Sequence, residues 1–329
     1  MTIISKTLKI LPLLLLMIGF QSCSNDDDNT TPKQMDIVET AMASPDLSSL
    51  VAALKAADGN LVNVLSGEGP FTVLAPTNAA FSKFLADNGF AKLSDVPTDV
   101  LSQILLNHVI SGNVSSTDLT TAKSGYANTN ASGPEGKKLS LYYNTTDGVR
   151  FNGISKVKTA DISASNGTIH IVDAVIGLPT VVDFALANPA LSSLVAALQA
   201  ADSQDPSPKL IGTLSGKGPF TVFAPTNDAF AALLTELDPT GATKLGDVAP
   251  ATVQAILLQH VVSGNVTSDK LSTGTVATLG GEVMIDAPKL TITDANDRVS
   301  KILASLVDIQ AVNGVVHAID RVILPGQSK

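Results

Sequence analysis

The chain of 329 residues contains no tryptophan, only three tyrosines and a single cysteine, and 16% of its residues are charged. One cysteine cannot form an internal disulfide and leaves no second thiol for a metal-binding pair. So few aromatic residues limit any platform on which bases or sugar rings could stack. The formal net charge of −9 comes without a basic stripe, so nucleic acid is not an expected partner.

The first residues have the pattern of a secretory signal. Lys6 and Lys9 precede an apolar run at residues 10–20, which is shorter than the about 20 residues that a membrane-spanning helix needs. Cys23 follows, as in bacterial lipoprotein signals, where the sulfur receives a diacylglycerol and becomes the new N-terminus. We therefore predict a lipoprotein signal peptide over residues 1–22, lipidation of Cys23 and membrane attachment through that lipid.

The segment after the signal is polar and acidic. It reads SNDDDNTTPKQ, with Asp26, Asp27 and Asp28 in succession, so we expect residues 23–35 to form a flexible tether. Two interpretations of the acidic triplet stay open. It resembles the surface-export signals of some Gram-negative lipoproteins, and it is equally compatible with a plain soluble spacer. The predicted location is the bacterial outer membrane, with the chain exposed at the cell surface.

The two halves of the chain repeat one another at a distance of about 150 residues. GPFTVLAPTNAAF at residues 69–81 returns as GPFTVFAPTNDAF at residues 218–230, and LSSLVAAL at residues 47–54 returns at residues 191–198. A period this long is typical of tandem domains and not of a solenoid. The repeat therefore predicts two domains, one after the other.

Each predicted domain, at residues 36–179 and 180–326, has its helix patterns early and its strand patterns late. Apolar side chains at positions 47, 50, 51 and 54 have the spacing of a helix with one buried face. PFTVLAP predicts a buried strand closed by proline, and Thr77 and Thr226 are placed to cap the helix that follows each copy. Because helices precede strands and do not alternate with them, the predicted fold class is α+β.

Three motifs occur in the same order in both halves: GPFTVLAPTNAAF, a helix ending in NHVISG, and NGTIHIVDAVI. They resemble the first conserved box, the central His motif and the second conserved box of fasciclin (FAS1) domains. The resemblance implies a β-wedge or sandwich flanked by helices in each domain, and a role in adhesion or extracellular interaction. Asn107 and Gln259 stand where the family often carries Tyr before the central histidine, so the Tyr-His adhesion motif of some animal members is not carried over. Asp161-Ile162 and Asp308-Ile309 lack the neighbours of the Asp-Ile integrin determinant of some animal members, so integrin binding is not carried over either.

The motifs place polar residues at equivalent positions of the two halves, and we interpret these residues as structural. Asp173 follows His170 by three residues in a strand and therefore points to the opposite face, which argues against a His-Asp pair within that strand. The motif residues are Thr77, Asn78, His108, His170 and Asp173 in the first half and Thr226, Asn227, His260, His317 and Asp320 in the second.

No catalytic or cofactor motif accompanies these residues. The sequence holds no His-Glu-x-x-His, no paired Cys-x-x-Cys, no phosphate-binding loop and no Gly-x-Ser-x-Gly elbow. We therefore predict a binding protein that is not an enzyme and that carries no cofactor and no metal. Its expected partner is an extracellular or envelope protein or polysaccharide. An envelope glycan-active hydrolase and a non-binding structural spacer are the alternatives.

The halves differ most at residues 124–153, where the first half alone has tyrosines beside basic side chains. Exposed aromatic and basic residues on loops are common recognition elements. A hairpin with one buried tyrosine and solvated lysines would give the same sequence. The candidate ligand contacts are Tyr126, Tyr142, Tyr143, Lys137, Lys138 and Arg150.

Overall fold

A computed structural model describes residues 33–203 and 209–326 of the chain. The predicted signal peptide, Cys23 and the first ten residues of the acidic tether therefore lie outside the described residues. The described part contains two successive copies of one arrangement, called here domain 1 and domain 2, and each copy mixes helices with strands. The α+β prediction is confirmed.

Domain 1 begins with short helices and continues into strands. Its helices are α1 (Ile37–Ala43), α2 (Ser48–Ala56), α3 (Leu61–Leu65), α4 (Asn78–Asp87), α5 (Thr98–Leu106) and α6 (Ser116–Ala122). Its strands are β1 (Phe71–Pro76), β2 (Val109–Ser111), β3 (Ser124–Ser132), β4 (Lys138–Asn144), β5 (Arg150–Phe151), β6 (Ser155–Ala164) and β7 (Gly167–Val172).

Domain 2 follows the same order with shorter late strands. Its helices are α7 (Val181–Ala187), α8 (Ser192–Ala201), α9 (Leu210–Leu214), α10 (Asn227–Leu237) and α11 (Pro250–Leu258). Its strands are β8 (Phe220–Pro225), β9 (Val261–Ser263), β10 (Gly274–Ala277), β11 (Glu282–Asp286), β12 (Thr291–Thr293), β13 (Val299–Lys301), β14 (Ile309–Ala311) and β15 (Gly314–Ile319).

The two conserved boxes are neighbouring parallel strands in each domain. β1 pairs with β7, and β8 pairs with β15 in the same register. A Cβ on Gly167 would lie 1.9 Å from the carbonyl oxygen of Phe71, and one on Gly314 would lie 2.1 Å from that of Phe220. Since no side chain fits there, the pairing of the boxes requires glycine at the start of the second box.

The sheets of the two domains close differently. In domain 1, β1 to β7 form a closed barrel in chain order, with β2 joined to β3 through Ile110 and Thr129. In domain 2 the described strands form two separate sheets, β14-β15-β8-β9 and β10-β11-β12-β13. The closed order of domain 1 is therefore interrupted at two places in domain 2, between β9 and β10 and between β13 and β14.

The predicted helix signals fold as expected. Thr77 Oγ1 accepts the N–H of Ala80 at 3.2 Å, and Thr226 Oγ1 accepts that of Ala229 at 3.3 Å, so each threonine caps its helix. The predicted apolar stripe on α2 faces the core, where Leu50 is 3% exposed. Local sequence thus accounts for the helix ends and the buried faces.

Long apolar helices are absent from the described part of the chain. No single helix within residues 33–203 and 209–326 is long and apolar enough to span a membrane. Two consecutive pairs reach the required length and composition only together, and they bend sharply: Ile37–Ala43 with Pro45–Ala56 by 108°, and Val181–Ala187 with Pro189–Ala201 by 104°.

Candidate binding surface at the domain junction

The central histidines, His108 and His260, are buried and bonded at both nitrogens. His108 Nδ1 lies 2.7 Å from the carbonyl oxygen of Ile104, and its Nε2 accepts the N–H of Ile176 at 2.9 Å. His260 makes the equivalent contacts at 2.8 and 2.9 Å. An Nε2 that accepts an N–H carries no proton, so each ring is neutral, and burial lowers the pKa of both to about 4. Both rings join a helix end to a distant segment.

The strand histidines, His170 and His317, are also fully engaged. The N–H of Asp161 donates to His170 Nδ1 at 3.2 Å, and His170 Nε2 donates to the carbonyl oxygen of Val114 at 2.9 Å. His317 repeats both contacts with Asp308 and with a β9–β10 loop carbonyl at the same distances. These rings are at most 1% exposed, and desolvation lowers the pKa of His317. Neither ring presents a free nitrogen to a substrate.

Asn78 and Asn227 join each first box to the helix before it. Asn78 Oδ1 accepts the N–H of Ser49 at 2.8 Å, while its Nδ2 donates to the carbonyl oxygen of Pro45 at 2.9 Å. Asn227 makes the same two contacts, each at 2.9 Å. The two residues of the Thr-Asn pair therefore have different roles, since Thr77 caps α4 and Asn78 holds the start of α2.

Asp173 and Asp320 bond across strand ends. Asp173 Oδ1 accepts the N–H of Lys156 at 2.7 Å, and its Oδ2 lies 3.3 Å from Lys158 Nζ. Asp320 Oδ1 accepts the N–H of Lys301 at 2.7 Å. The carboxylates thus bind the neighbouring strand.

Tyr126 and Tyr142 of domain 1 face domain 2. Their ring centroids are 5.1 Å apart, and the Tyr126 ring meets Phe184 of α7 edge-on at 5.7 Å. Tyr126 Oη accepts from Asn188 Nδ2 at 3.1 Å, and burial raises the pKa of Tyr126. Tyr142 is 3% exposed and belongs to the core cluster of domain 2. The expectation of an exposed ring is wrong for Tyr142, because the second domain covers it.

The four other candidate contacts lie in four different environments. Lys137 Nζ lies 3.4 Å from a carboxylate oxygen of Asp269 in domain 2, so it contributes to the domain interface. Tyr143 is half-buried against the interior of the domain 1 barrel. Lys138 is exposed and bonds within its own hairpin. Arg150 lines the surface groove described below.

Polar contacts complete the interface between the domains. The backbone N–H of Gln310 donates to Ser140 Oγ at 3.0 Å in a buried position, and Lys270 forms an ion pair with Glu135. A Cβ on Gly133 would lie 2.8 Å from a domain 2 carbonyl oxygen, so the β3–β4 hairpin approaches this closely only because that residue is glycine. The two domains together form one compact unit.

An open groove with apolar walls runs beside this interface. Two hollows, of about 270 and 590 Å³, share Gly153, Ile154 and Gly177. The side chains of Ile154 and Leu186 are 55% and 61% exposed, although both are large and apolar. Other residues that line the groove are Lys83, Phe84, Asp87, Arg150, Leu178 and Asp183. Apolar surface rimmed by charge is typical of a binding site for another macromolecule, and we name this surface the junction groove.

Sequence reasoning found Arg150 but missed Ile154 and Leu186. A signal was present for Ile154, which follows Asn-Gly in a turn, where an apolar side chain has no strand face to join. Leu186 carries no such signal, because its exposure depends on how α7 packs against the rest of domain 2.

Comparison with known protein families shows to which family the chain belongs. Residues 45–179 and 189–325 each match the Fasciclin domain. The chain belongs to the fasciclin domain family. Fasciclin domains are generally linked to cell adhesion or surface binding, and no enzyme family is indicated. The prediction made from the three repeated motifs is confirmed.

Relatives of this fasciclin protein occur in bacteria and animals. Protein sll1483 of Synechocystis sp. is 43% identical over 149 residues, which are 44% of this chain and 73% of that protein. Human periostin is 29% identical over 281 residues, 80% of this chain and 29% of periostin. The cell surface glycolipoprotein MPB83 of Mycobacterium bovis is 44% identical over 87 residues, 25% of this chain and 37% of MPB83. The chain thus spans less than two-fifths of the length of periostin or MPB83.

Proposed function

We propose that this fasciclin protein is an exported, lipid-anchored adhesion protein of the bacterial outer membrane, exposed at the cell surface. It binds a protein or polysaccharide of the envelope or surroundings through the junction groove, without catalysis. The single observation that carries the proposal is the pair Ile154 and Leu186, two large apolar side chains more than half exposed in one groove.

The groove has the composition of a protein-binding surface. Apolar side chains from both domains line it, and Lys83 and Asp87 form an exposed ion pair at 2.8 Å on one rim. A partner that covered Ile154 and Leu186 would remove apolar area from water, at about 25 cal/mol per Å². Domain 1 provides most of the walls, and domain 2 adds Asp183, Leu186 and Ala187, so an isolated domain 1 would lack that part of the surface.

The anchor and the location are supported by the sequence and by a relative. Cys23 follows a short apolar run, and the predicted tether of residues 23–35 would separate the lipid from α1. MPB83, which shares 44% identity over part of its length, is described as a cell surface glycolipoprotein.

A specific observation argues against each of the two alternative functions. The only catalytic candidates for a glycan-active hydrolase are the paired histidines and aspartates of the motifs. All four histidines are buried and bonded at both nitrogens, and Asp173 and Asp320 each accept a backbone N–H of a neighbouring strand. A structural spacer fits the compact two-domain body equally well, but it gives no reason for two exposed apolar side chains in one groove.

Adhesion of whole cells tests the groove. Cells that lack the protein would be complemented with wild type, with Ile154→Asp/Leu186→Asp, or with Leu237→Asp as a control. Leu237 is 57% exposed but does not line the groove. We expect the double variant to lose adhesion at a normal protein level, while the control keeps it. Equal adhesion by both variants would favour the spacer.

Protease digestion of intact cells tests the location. Loss of both domains from the immunoblot, with a periplasmic marker uncut, is the expected result. Protection equal to that of the marker would contradict surface exposure and direct the search to periplasmic partners. Removal of membrane association by Cys23→Ser would support the lipid anchor.

A further inference from the structure

Domain 2 contains an apolar cavity that domain 1 lacks at the equivalent place. The cavity has a volume of about 170 Å³, whereas the hollow between the corresponding elements of domain 1 has about 20 Å³. It lies among α7, α8, α9, α11 and the strands β8 and β9. Its inner wall is formed by Val181, Leu194, Leu198, Leu214, Val222 and Leu257.

Smaller side chains in the second copy explain part of the difference. Ile37, the first residue of α1, lines the small hollow, and its equivalent at the start of α7 is Val181. Ile169, which lies beside Val73 in the parallel pair, is replaced by Val316 beside Val222. Each exchange removes one methylene from the interior, and close-packed interiors do not refill such space completely.

The interrupted sheet of domain 2 gives the cavity an outlet. In domain 1 the N–H of Ser132 on β3 donates to Gln103 Oε1 of α5 at 2.8 Å. The end of β3 therefore covers α5. In domain 2 the strand β10 already ends at Ala277, and Leu279, which is 45% exposed, lines the cavity instead. Thr213 is also exposed on this side. The cavity therefore reaches the protein surface between α9 and Leu279.

The polar groups around the cavity are already bonded. Both nitrogens of His260 are engaged, and Thr213 Oγ1 donates to the carbonyl oxygen of Lys209 at 2.9 Å. Among the described residues, no buried side-chain polar atom lacks a hydrogen bond. A water molecule needs two to four polar partners, and an apolar cavity of about 150 Å³ stays dry and takes up benzene. Charged or strongly hydrated ligands would lose their hydration here without compensation.

We propose that domain 2 binds a small uncharged hydrocarbon, of the size of a single aromatic ring, in this cavity. Domain 1 does not, because the corresponding hollow of about 20 Å³ is too small for such a ligand. The site is separate from the junction groove and does not depend on the adhesion proposal.

Methyl NMR of the full-length protein with benzene as the probe tests this site. Benzene should shift the methyl signals of Val181, Leu194 and Leu257 and leave those of Leu50 and Leu54 in domain 1 unchanged. Phenol, whose hydroxyl finds no partner in the cavity, should bind about tenfold more weakly or worse. Absence of shifts at benzene saturation, or equal shifts in both domains, would overturn the proposal.

A matched pair of variants distinguishes the effect of filling the cavity from a general disturbance of the fold. Ala185 lines the cavity, and Ala41 is its equivalent in domain 1. Ala185→Leu should abolish the benzene shifts and raise the unfolding temperature, whereas Ala41→Leu should keep the shifts and lower that temperature. If Ala185→Leu does not fold, Val181→Ile provides a milder filling and should weaken benzene binding. Undiminished benzene binding in a folded cavity-filling variant would contradict the site.

Discussion

Asn188 at the end of α7 donates to Tyr126 Oη across the domain boundary at 3.1 Å, while its own Oδ1 accepts the N–H of Ala190 at 3.0 Å. One side chain thus caps the short 3-10 helix Pro189–Leu191 that precedes α8 and also holds a tyrosine of domain 1. Two of the three tyrosines of the chain, Tyr126 and Tyr142, thus form part of the surface on which the second copy packs.

Truncation of Tyr142 should weaken the contact between the two domains, so that they unfold independently. The ring is 3% exposed within the domain 2 core cluster, so Tyr142→Ala should lower the free energy of unfolding by about 3 kcal/mol. Wild type is expected to unfold in one transition, and the variant in two. Calorimetry would measure both.

Tyr143→Ala is the control for this experiment, because that ring packs inside the domain 1 barrel. It should destabilise domain 1 without changing the contact between the domains. A single transition of unchanged midpoint in Tyr142→Ala would show that the interface contributes little.

Acid should destabilise the protein through its central histidines. Burial lowers the pKa of His108 and His260 from 6.5 to about 4, so the unfolded chain takes up protons before the folded chain does. The stabilisation is therefore complete above pH 6.5 and is lost as the pH falls toward 4. Each ring should account for a loss of about 2 to 3 kcal/mol between pH 7.5 and 4.5.

Urea unfolding at those two pH values would measure the effect, with His108→Gln as the comparison. The variant should be less stable than wild type at neutral pH. Its free energy of unfolding should fall less on acidification, because it lacks the contribution of one histidine ring. His317, whose pKa is also lowered, adds to the loss in both proteins. Equal losses in wild type and His108→Gln would refute this account.

Asp294 should stabilise the last described segment of domain 2. It is 5% exposed, and its Oδ2 accepts the N–H of Leu324 at 3.0 Å and lies 3.2 Å from Arg298 Nη1, which itself donates to the carbonyl oxygen of Val322. Asp294→Asn would weaken one of the two ion pairs of the largely buried Arg298, which keeps Glu236 at 2.6 Å, at a cost of about 1 to 3 kcal/mol. Thermal unfolding would show the loss.

Asp297 offers a matched control three residues away. It is exposed, with a φ of 60°, and asparagine tolerates that backbone conformation as well as aspartate does. Asp297→Asn should therefore change the unfolding temperature little. Similar effects of the two substitutions would contradict a special role for the buried carboxylate.

Much of the fold could be predicted because its signals are local. The threonine caps, the apolar stripe on α2 and the strand of the first box depend on residues within one or two turns, and each occurs twice in the sequence. The structural interpretation of the histidines rested on their place in a periodic pattern. One partner of each central ring is distant in the chain, as Ile176 is 68 residues from His108, so no local pattern could identify it.

The sequence by itself determined the tandem organisation, the α+β class and the family, because repeated short motifs specify the same strand, turn and helix wherever they occur. Only the tertiary structure decided what covers Tyr126 and Tyr142, where the apolar groove lies, and why domain 2 holds a cavity. Burial depends on residues that are distant in the chain, such as Phe184 and Asn188 for Tyr126. A hairpin with aromatic and basic residues has the same local pattern whether water or a second domain lies against it.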